Sequence, residues 1–551
     1  MNKSYRFHHR LGKAVAITAL AFTILSASSS LVAQTPPPFG PAVTAGRSLR
    51  TTDMTNATPL IPGDIYRNVN PSTQDLATFA WLEFISAVSP ANGQQRGTPG
   101  GSFAQSGSYQ AATLLWETYQ HRSELLPFNS GKPVPPQPWN STPKYVESYT
   151  NSKNVVKTYA LALPNYNNLD EATQIGQNIL YFPVTPGKPN PQSDAQVLFE
   201  AKVNQYSWGF VNANYSKLIP IQKPFRFSPP ISLPTGTVEV KAAWRPLSSI
   251  PPSQRYRYHV ATVIIHTGSD TAPVPQTAKY ALIGLHIIHK SPNYPAFTFA
   301  TFEQVDDLQN QATGKPSGVY YVPGYNSINY TTSATTTFPP SGTTVNNPTI
   351  NFNNIKFNTK APTANPNGNP TRLPLGGVGA AIPVTQPVAT LPGVARANEQ
   401  ALAAMSHIPG FNSTFVWQYY KLAGVQAIPT NNDSAGDFYL ANIVVESSQP
   451  GIQLFRGFPN ISGSPSINPT TFILTNARNQ VNVIDSYGGH NTMTSSGGCQ
   501  GCHGVAQTQN GFDFSFLFFG ANGGGFSPET TAVPPPATAL ARVVRRKAFL
   551  K

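Results

Sequence analysis

The sequence predicts an α+β protein with a β-rich body, in which an antiparallel meander is combined with short helices and many loops. The 551 residues include 54 prolines and 42 glycines, which interrupt long helices and favour short strands joined by turns. Aromatic residues make up 11% of the chain, which is ample material for a large core. Residues 237–244 alternate between apolar and polar side chains, as is typical of a half-buried strand. An all-helical bundle is excluded as the main body.

The first 33 residues have the pattern of a secretory signal peptide. Basic residues at positions 3, 6, 10 and 13 precede an apolar run over residues 14–25, and small residues lie before Gln34. A membrane anchor is the alternative, but a spanning helix needs about 20 apolar residues. We therefore expect cleavage near residue 33 and a periplasmic or otherwise exported protein without a transmembrane segment in the mature chain. A Pro-rich segment follows at 34–73.

Residues 74–530 are expected to form a single large mixed body. Residues 74–88 have apolar residues near helical spacing, 111–125 predict a second helix or a strand followed by a helix, and 395–406 predict a further helix. Four strands, at 237–244, 256–266, 279–289 and 296–302, are predicted to form the meander, with a loop at 267–277. Residues 326–374 are rich in Asn, Thr, Pro and Gly, which indicates a surface insertion.

Both cysteines of the chain lie in one motif, Cys499-Gln500-Gly501-Cys502-His503. The spacing CxxCH is typical of covalent c-type haem attachment. The two thiols form thioethers with the haem vinyl groups, and the adjacent imidazole of His503 is thereby held at the iron as an axial ligand. We predict one covalent haem c per chain, carried by an attachment segment at residues 485–520 that includes a short helix after the motif.

Two other chemistries remain open for the motif. A dithiol/disulfide oxidoreductase also uses CxxC, but in a thioredoxin-like βαβ context, whereas Gly- and Ser-rich residues precede Cys499. A structural zinc site needs further ligands from elsewhere in the chain.

The second axial ligand of such a haem is not fixed by the sequence. No Met or His follows His503, so the arrangement with a distal Met later in the chain is excluded. His490, followed by Met493, is the leading local candidate, and water or a tail lysine are further possibilities. More distant candidates are His407, Met405, His259, His266, His286 and His289. Because His286 and His289 are an odd number of positions apart on a strand, they point to opposite faces.

Other residues have roles that the sequence leaves open. The alternating Phe512, Phe514, Phe516 and Phe518 could shield the haem from water or form one apolar face of a strand. Five acids in apolar surroundings could include a proton acceptor near the haem, namely Glu83, Glu117, Glu200, Glu303 and Glu446. The basic tail, within 531–551, has five basic residues and no acid from residue 541 onward. It could steer an acidic partner or a membrane surface, or be a solvated, frayed terminus. Nucleic acid is not an expected partner.

Several segments carry a family resemblance. The chain resembles exported, largely uncharacterised cytochrome c family proteins that have a single CxxCH near the C-terminus, and the similarity covers about residues 74 to 520. The resemblance implies a periplasmic mono-haem cytochrome. Gln304 departs from the family, whose members tend to have a histidine after the matching Phe302-Glu303 pair. The matching segments are residues 79–84, 96–99, 115–118, 239–245, 284–290, 300–303, 417–422, 440–442, Glu446, 499–506 and 512–516.

The function expected from these features is electron transfer by an exported c-type cytochrome with a redox partner protein. One alternative is a haem-dependent peroxidase or oxygenase with an open distal site, because a carrier needs only about 100 residues to enclose a haem. Another is a haem-based sensor or binding protein. These classes differ in whether the ferrous iron has a free coordination position.

Overall fold

The computed structural model describes residues 36–66, 71–172, 180–182, 194–218, 231–307 and 392–427, apart from single or paired positions within them. It also describes short pieces at 309–310, 315–316, 321–322, 380–381, 456–457, 496–497, 499, 503, 513–518 and 531. The predicted surface insertion at 326–374 lies wholly outside these residues. The chain divides into two compact units, Met1–Pro36 and Pro37–Lys551, and all elements named here belong to the second.

An eight-stranded sheet forms the centre of the structure. Its strands are β1 (Gln120–His121), β2 (Asn168–Leu169), β3 (Leu198–Val203), β4 (Val238–Pro246), β5 (Val260–Ser269), β6 (Ala272–His289), β7 (Thr298–Gln304) and β8 (Tyr420–Gln426). Their order is β1-β3-β4-β6-β5-β2, and β7 pairs with both β6 and β8. The pairing of β2 with β5 is parallel, and the other pairings within this sheet are antiparallel.

Strand β6 has 18 residues and pairs with three other strands of the sheet. One of its edges pairs with β4, whereas the opposite edge pairs first with β5, from Ala272 to Ala281, and then with β7, from Gly284 to His289. The four predicted strands are therefore present, but the meander prediction is wrong. β4 lies beside β6 rather than beside β5, because β6 is long enough to pair with two successive strands along one edge.

The predicted loop at 267–277 is also wrong, since both strands continue through most of it. Pro273 and Pro275 lie within β6, opposite Gly268 and His266. Strand β4 pairs with β6 only from Tyr280 onward, so among the described residues no strand pairs with this edge in the first half of β6. A proline is tolerated where its nitrogen points to a free edge, and two prolines at alternate positions point the same way.

The described helices are α1 (Thr51–Thr55), α2 (Thr73–Ala87), α3 (Arg122–Leu125), α4 (Gln205–Leu218) and α5 (Pro392–Ser406). Helices α2 and α5 pack on one face of the sheet, and α1 contacts both of them. The ring of Phe84 on α2 stacks on Phe302 of β7 at 4.2 Å between centroids. The Trp81 indole of α2 donates a 3.0 Å hydrogen bond to Asn398 of α5. The predicted helices at 74–88 and 395–406 are thus confirmed.

Shorter elements complete the described fold. The segment predicted as a helix or a strand–helix at 111–125 is a 3₁₀ turn at Trp116–Thr118 followed by β1 and α3. Other 3₁₀ turns are Phe103–Ser106, Leu247–Ser249, Pro252–Arg257, Val305–Asp307 and Val416–Tyr419. Short strands outside the main sheet are Phe128–Asn129, Lys132–Pro133, Val146–Thr150, Val156–Ala160, Tyr181–Phe182, Ala195–Gln196, Gln309–Asn310, Lys315–Pro316, Tyr321–Val322, Ala380–Ala381, Arg456–Gly457 and Ser496–Gly497.

A buried lysine is unusual in this charge-poor chain. The side chain of Lys202 on β3 is fully buried. Its ammonium group donates to the carbonyl oxygens of Glu117 and Tyr166, at 2.6 and 2.7 Å, and to Oδ1 of Asn167 at 2.7 Å. It also lies 3.4 Å from the carboxylate of Glu200. Burial lowers the pKa of Lys202, while the surrounding carboxylates counteract this shift.

The two buried acids beside Lys202, and Glu83 elsewhere in the core, each have a partner. The carboxylate of Glu117 lies 3.2 Å from Nε2 of His259, and that of Glu200 accepts a 3.0 Å hydrogen bond from the indole of Trp244. The Glu83 carboxylate lies 2.8 Å from Nδ1 of His289. Three of the five acids highlighted by the sequence thus have buried structural partners.

Candidate functional site

The two faces of the sheet carry different side chains near the middle of β6. Val240, Ile287 and Ala300 form one cross-strand row and belong to the core beneath the helices. The adjacent residues form two rows on the opposite face, because side chains alternate along each strand. These rows are Glu239–Ile288–Phe299 and Lys241–His286–Thr301. The sequence correctly predicts that Glu239 and Lys241 lie opposite the apolar face of β4 and that His286 and His289 face opposite ways.

The CxxCH histidine lies on this second face. The ring of His503 contacts Phe299 of β7 at 4.8 Å between centroids, and Phe516 at 4.8 Å on another side. The ring of His286 lies 6.2 Å away, tilted by 33°. Cys499 is buried, and both Cys499 and His503 have helical backbone conformation. The sheet therefore carries helices on one face and the His503 ring, with Phe516 against it, on the other.

A backbone hydrogen bond orients the His503 imidazole. Its Nδ1 lies 2.8 Å from the carbonyl oxygen of Phe514. Because a carbonyl only accepts, Nδ1 carries the proton and the lone pair of the neutral ring is on Nε2. Burial lowers the pKa of His503 to about 4, the hydrogen bond to Phe514 opposes this shift, and the charge of Lys241 adds to it. The ring is thus neutral at pH 7, with Nε2 able to bind a metal.

The imidazole of His286 is likewise held by a hydrogen bond at Nδ1. Its Nδ1 lies 2.8 Å from the hydroxyl of Thr301, whereas its buried Nε2 has no hydrogen-bond partner among the described residues. Burial, His503 and Lys241 together hold the pKa of His286 well below its ordinary value. A neutral imidazole with one nitrogen fixed and the other unoccupied can act as a metal ligand.

An ion pair attaches the segment after the motif to the sheet. Asp513 is buried and accepts a 2.6 Å hydrogen bond from the ammonium group of Lys290, directly after β6, and a 2.9 Å bond from the amide of Leu233. Its φ of 59° lies in the left-handed region, which aspartate tolerates better than most residues. This sharp turn places the Phe514 carbonyl against His503.

Glu239 provides a second attachment point. The hydroxyl of Ser515 donates a 2.7 Å hydrogen bond to Oε1 of Glu239. Burial raises the pKa of Glu239 to about 8, the hydrogen bond from Ser515 opposes this shift, and the nearby carboxylate of Asp513 adds to it. Glu239 is therefore largely protonated at pH 7, although the remaining exposure of its side chain reduces the energetic effect.

Glu239→Gln is expected to stabilise the protein increasingly as the pH rises from 5 to 8. The folded-state pKa lies above the unfolded value, so the contribution of Glu239 is full below the unfolded pKa and is lost as the pH approaches 8. We expect a relative gain of roughly 1–3 kcal/mol across this range. Urea unfolding at pH 5, 6.5 and 8 measures it, with the exposed Glu399→Gln as a matched control. A stability difference between Glu239→Gln and the unsubstituted protein that did not change with pH would contradict the raised pKa of Glu239.

The structure brings together some of the residues predicted for the site and separates others. Cys502, His490, Met493, Phe512 and Glu446 lie outside the described residues, so the leading candidate for the second ligand stays a prediction. His407 is exposed directly after α5, and Met405 is buried in the core beneath the helices. His259, His266 and His289 are hydrogen-bonded or ion-paired to Glu117, Asn168 and Glu83.

The strand that was one alternative for the alternating phenylalanines is not formed over residues 513–518, which have turns at 513–514 and 517–518 and irregular backbone between them. Phe514 and Phe518 are buried, and Phe516 contacts the His503 ring at 4.8 Å between centroids. Glu303 lies on the same sheet face as His286, in the next cross-strand row beside Gly284. Asp513 and Phe299 were not predicted as site residues, since only their long-range contacts distinguish them.

The chain matches no protein-family model, no curated protein and no solved structure. Within the described ranges, none of the helices combines the length and apolar character needed to cross a bilayer. Clusters of three or more His, Cys, Asp or Glu side chains arranged to hold a metal ion are absent from the described part of the chain.

Proposed function

We propose that the protein is an exported c-type cytochrome that binds one haem covalently and transfers electrons to or from a redox partner protein. The observation that carries this proposal is the His503 imidazole, whose Nδ1 donates to the Phe514 carbonyl and leaves Nε2 available. Metal-binding histidines in proteins are commonly oriented by such a bond from the other ring nitrogen. The spacing of Cys499 and Cys502 before His503 supports attachment of haem c.

The surrounding residues fit a haem ligand. The phenylalanines at 299 and 516 contact the His503 ring and limit access of water to it. A haem iron, when bound, supplies a one-electron couple, whose potential depends on burial and nearby charge. Lys241 faces the site, and its positive charge would favour the reduced state. The signal peptide and basic tail of the sequence support export and steering of an acidic partner.

The proposal is tested by producing the chain with a c-type haem maturation system and measuring the pyridine haemochrome spectrum after denaturation and acid–acetone extraction. We expect haem that is not extractable, in a ratio of one per chain. The variant with Cys499→Ser and Cys502→Ser should lose it. Absence of covalent haem in the unsubstituted protein would overturn the proposal.

Carbon monoxide then distinguishes a carrier from an enzyme or sensor. A ferrous spectrum that does not change on addition of carbon monoxide supports electron transfer. A shifted Soret band identifies an accessible iron, which is the property expected of a peroxidase, an oxygenase or a gas sensor.

A further inference from the structure

We infer that the interior of the protein contains a pH-sensitive stability switch, a buried group of two carboxylates, one ammonium and one imidazole that retains a proton which the unfolded chain releases above neutral pH. This buried tetrad consists of Glu117, Glu200, Lys202 and His259, each at most 2% exposed. The inference is independent of the proposed function, which uses none of these four residues.

Lys202 supplies the fixed positive charge of the tetrad. Its Nζ atom donates to the carbonyl oxygens of Glu117 and Tyr166 and to Oδ1 of Asn167, at 2.6, 2.7 and 2.7 Å. Three acceptors occupy all three hydrogens of an ammonium group. Burial lowers the pKa of Lys202, while the carboxylates of Glu200 and Glu117 counteract this shift. The geometry is therefore that of a charged lysine.

Both acids of the tetrad are held as carboxylates. The oxygens of Glu117 accept from the backbone amide three residues earlier at 2.7 Å and from the side-chain amide of Asn167 at 2.8 Å. Those of Glu200 accept from the indole of Trp244 at 3.0 Å and from the backbone amide of Asn168 at 3.2 Å. Since these N–H groups only donate, all four oxygens act as acceptors. Two negative charges thus share one ammonium group.

A proton on the imidazole of His259 balances the second negative charge. Its Nε2 lies 3.2 Å from Oε1 of Glu117, and its ring stacks on that of Trp417 at 5.7 Å between centroids. An unbalanced charge in the interior is strongly unfavourable, and an aromatic face stabilises a cation. Nδ1 of His259 has no hydrogen-bond partner among the described residues, so charge balance alone retains its proton.

The charged groups around the tetrad do not supply this balance. Arg96 and Glu124 form a two-pronged ion pair at 3.0 and 2.8 Å, which has no net charge. Arg122 contacts both Asp170 and Glu171, at 3.3 and 2.8 Å. Although burial opposes the shift, the charge of Arg122 lowers the pKa values of these two acids, so they stay ionised near neutral pH. The other titratable groups nearby are His121, Glu147, Lys241 and His266.

Stability should fall as the pH rises above neutral. A histidine in an unfolded chain loses its proton near pH 6.5. A proton retained in the folded state contributes stability that is full below this value and is lost as the pH rises through the folded-state pKa. Burial likewise raises the pKa of Glu200, although Lys202 opposes this shift, and its effect on stability has the same sign.

Glu117 sets the acidic limit of this range. Burial disfavours its charged form, but His259 and the hydrogen bonds to the carboxylate hold its pKa below the ordinary value of 4.5. Its contribution is therefore present above pH 4.5 and is lost in more acidic solution. The tetrad thus favours the folded state most between about pH 4.5 and pH 6.5.

The test is urea unfolding of the full chain at pH 7, 7.75 and 8.5, compared with Glu200→Gln and His259→Gln. One retained proton makes the unfolding equilibrium constant rise about tenfold per pH unit. Glu200→Gln leaves one carboxylate for one ammonium group, and His259→Gln removes the group that binds the proton. Both variants should lose this tenfold rise, whereas the exposed controls Glu399→Gln and His407→Gln should keep it.

Glu239 titrates in the same pH range, but it is present in every protein compared and does not affect the differences. A rise per pH unit that stays within about twofold of the unsubstituted value in both tetrad variants would overturn the inference. If neither variant folds, Glu239→Gln provides the readout, since its unfolding by urea at pH 8 in weak buffer should release at least about one proton. Release of no proton would overturn the inference as well.

Discussion

His503→Ala will remove the low-spin haem spectrum and lower the retained haem by more than about tenfold, because mutation even of residues that orient a metal ligand typically costs 10–100-fold in affinity or activity. The substitution deletes the proposed ligand and also leaves the carbonyl of Phe514 without its 2.8 Å partner. The thioether bonds to Cys499 and Cys502 can form without the imidazole, so a small fraction of covalent, high-spin haem should remain.

The measurement is the haem-to-protein ratio together with the optical spectrum of the purified variant. His407→Ala serves as the control because that histidine is exposed in the turn directly after α5. An unchanged low-spin spectrum in His503→Ala would show that the CxxCH histidine is not an axial ligand.

Lys202→Met is expected to lower the free energy of unfolding by about 3–5 kcal/mol, the typical cost of leaving a buried charge without its partner. The methionine fills a similar volume, but the Glu200 carboxylate loses the ammonium group 3.4 Å away. The carbonyls of Glu117 and Tyr166 and the Asn167 side chain lose their donor as well. The effect should therefore come from electrostatics and hydrogen bonding rather than from a cavity.

Urea unfolding measures this loss, and Lys279→Met provides the matched control. Lys279 is exposed on β6, so its substitution should change stability by less than about 0.5 kcal/mol. If the free energy of unfolding of Lys202→Met lay within about 1 kcal/mol of that of the unsubstituted protein, the buried cluster around Lys202 would not be a major source of stability.

Local patterns account for the elements that the sequence predicts correctly. Helix α2 follows from apolar spacing and from Ser72, whose hydroxyl accepts from the amide of Asp75. Strand β4 follows from strict alternation, which also places Glu239 on the face opposite the core. The segment at 267–277 is mispredicted because prolines usually mark loops, and only the sheet topology shows that their edge of β6 is free.

The candidate site could be predicted only in part for a different reason. The CxxCH spacing identifies His503 as a candidate ligand, because the two cysteines and the histidine lie within five residues. The partners of His503 on the sheet lie more than 200 positions earlier, and such long-range pairing leaves no periodic trace in the sequence. The odd spacing of His286 and His289 along a strand shows that their side chains lie on opposite faces of the sheet, but not which of them lies near His503.

The ion pair between Lys290 and Asp513 has a consequence for the order in which parts of the chain fold. The two residues are 223 positions apart, and Ser515 and Glu239 are 276 apart. Every strand of the main sheet precedes Cys499, and pairings such as β5 with β6 are local and form early. The CxxCH segment should therefore dock last, onto a sheet that is already folded. The sheet would then act as a template, and closure of the segment against it would be the final step of folding.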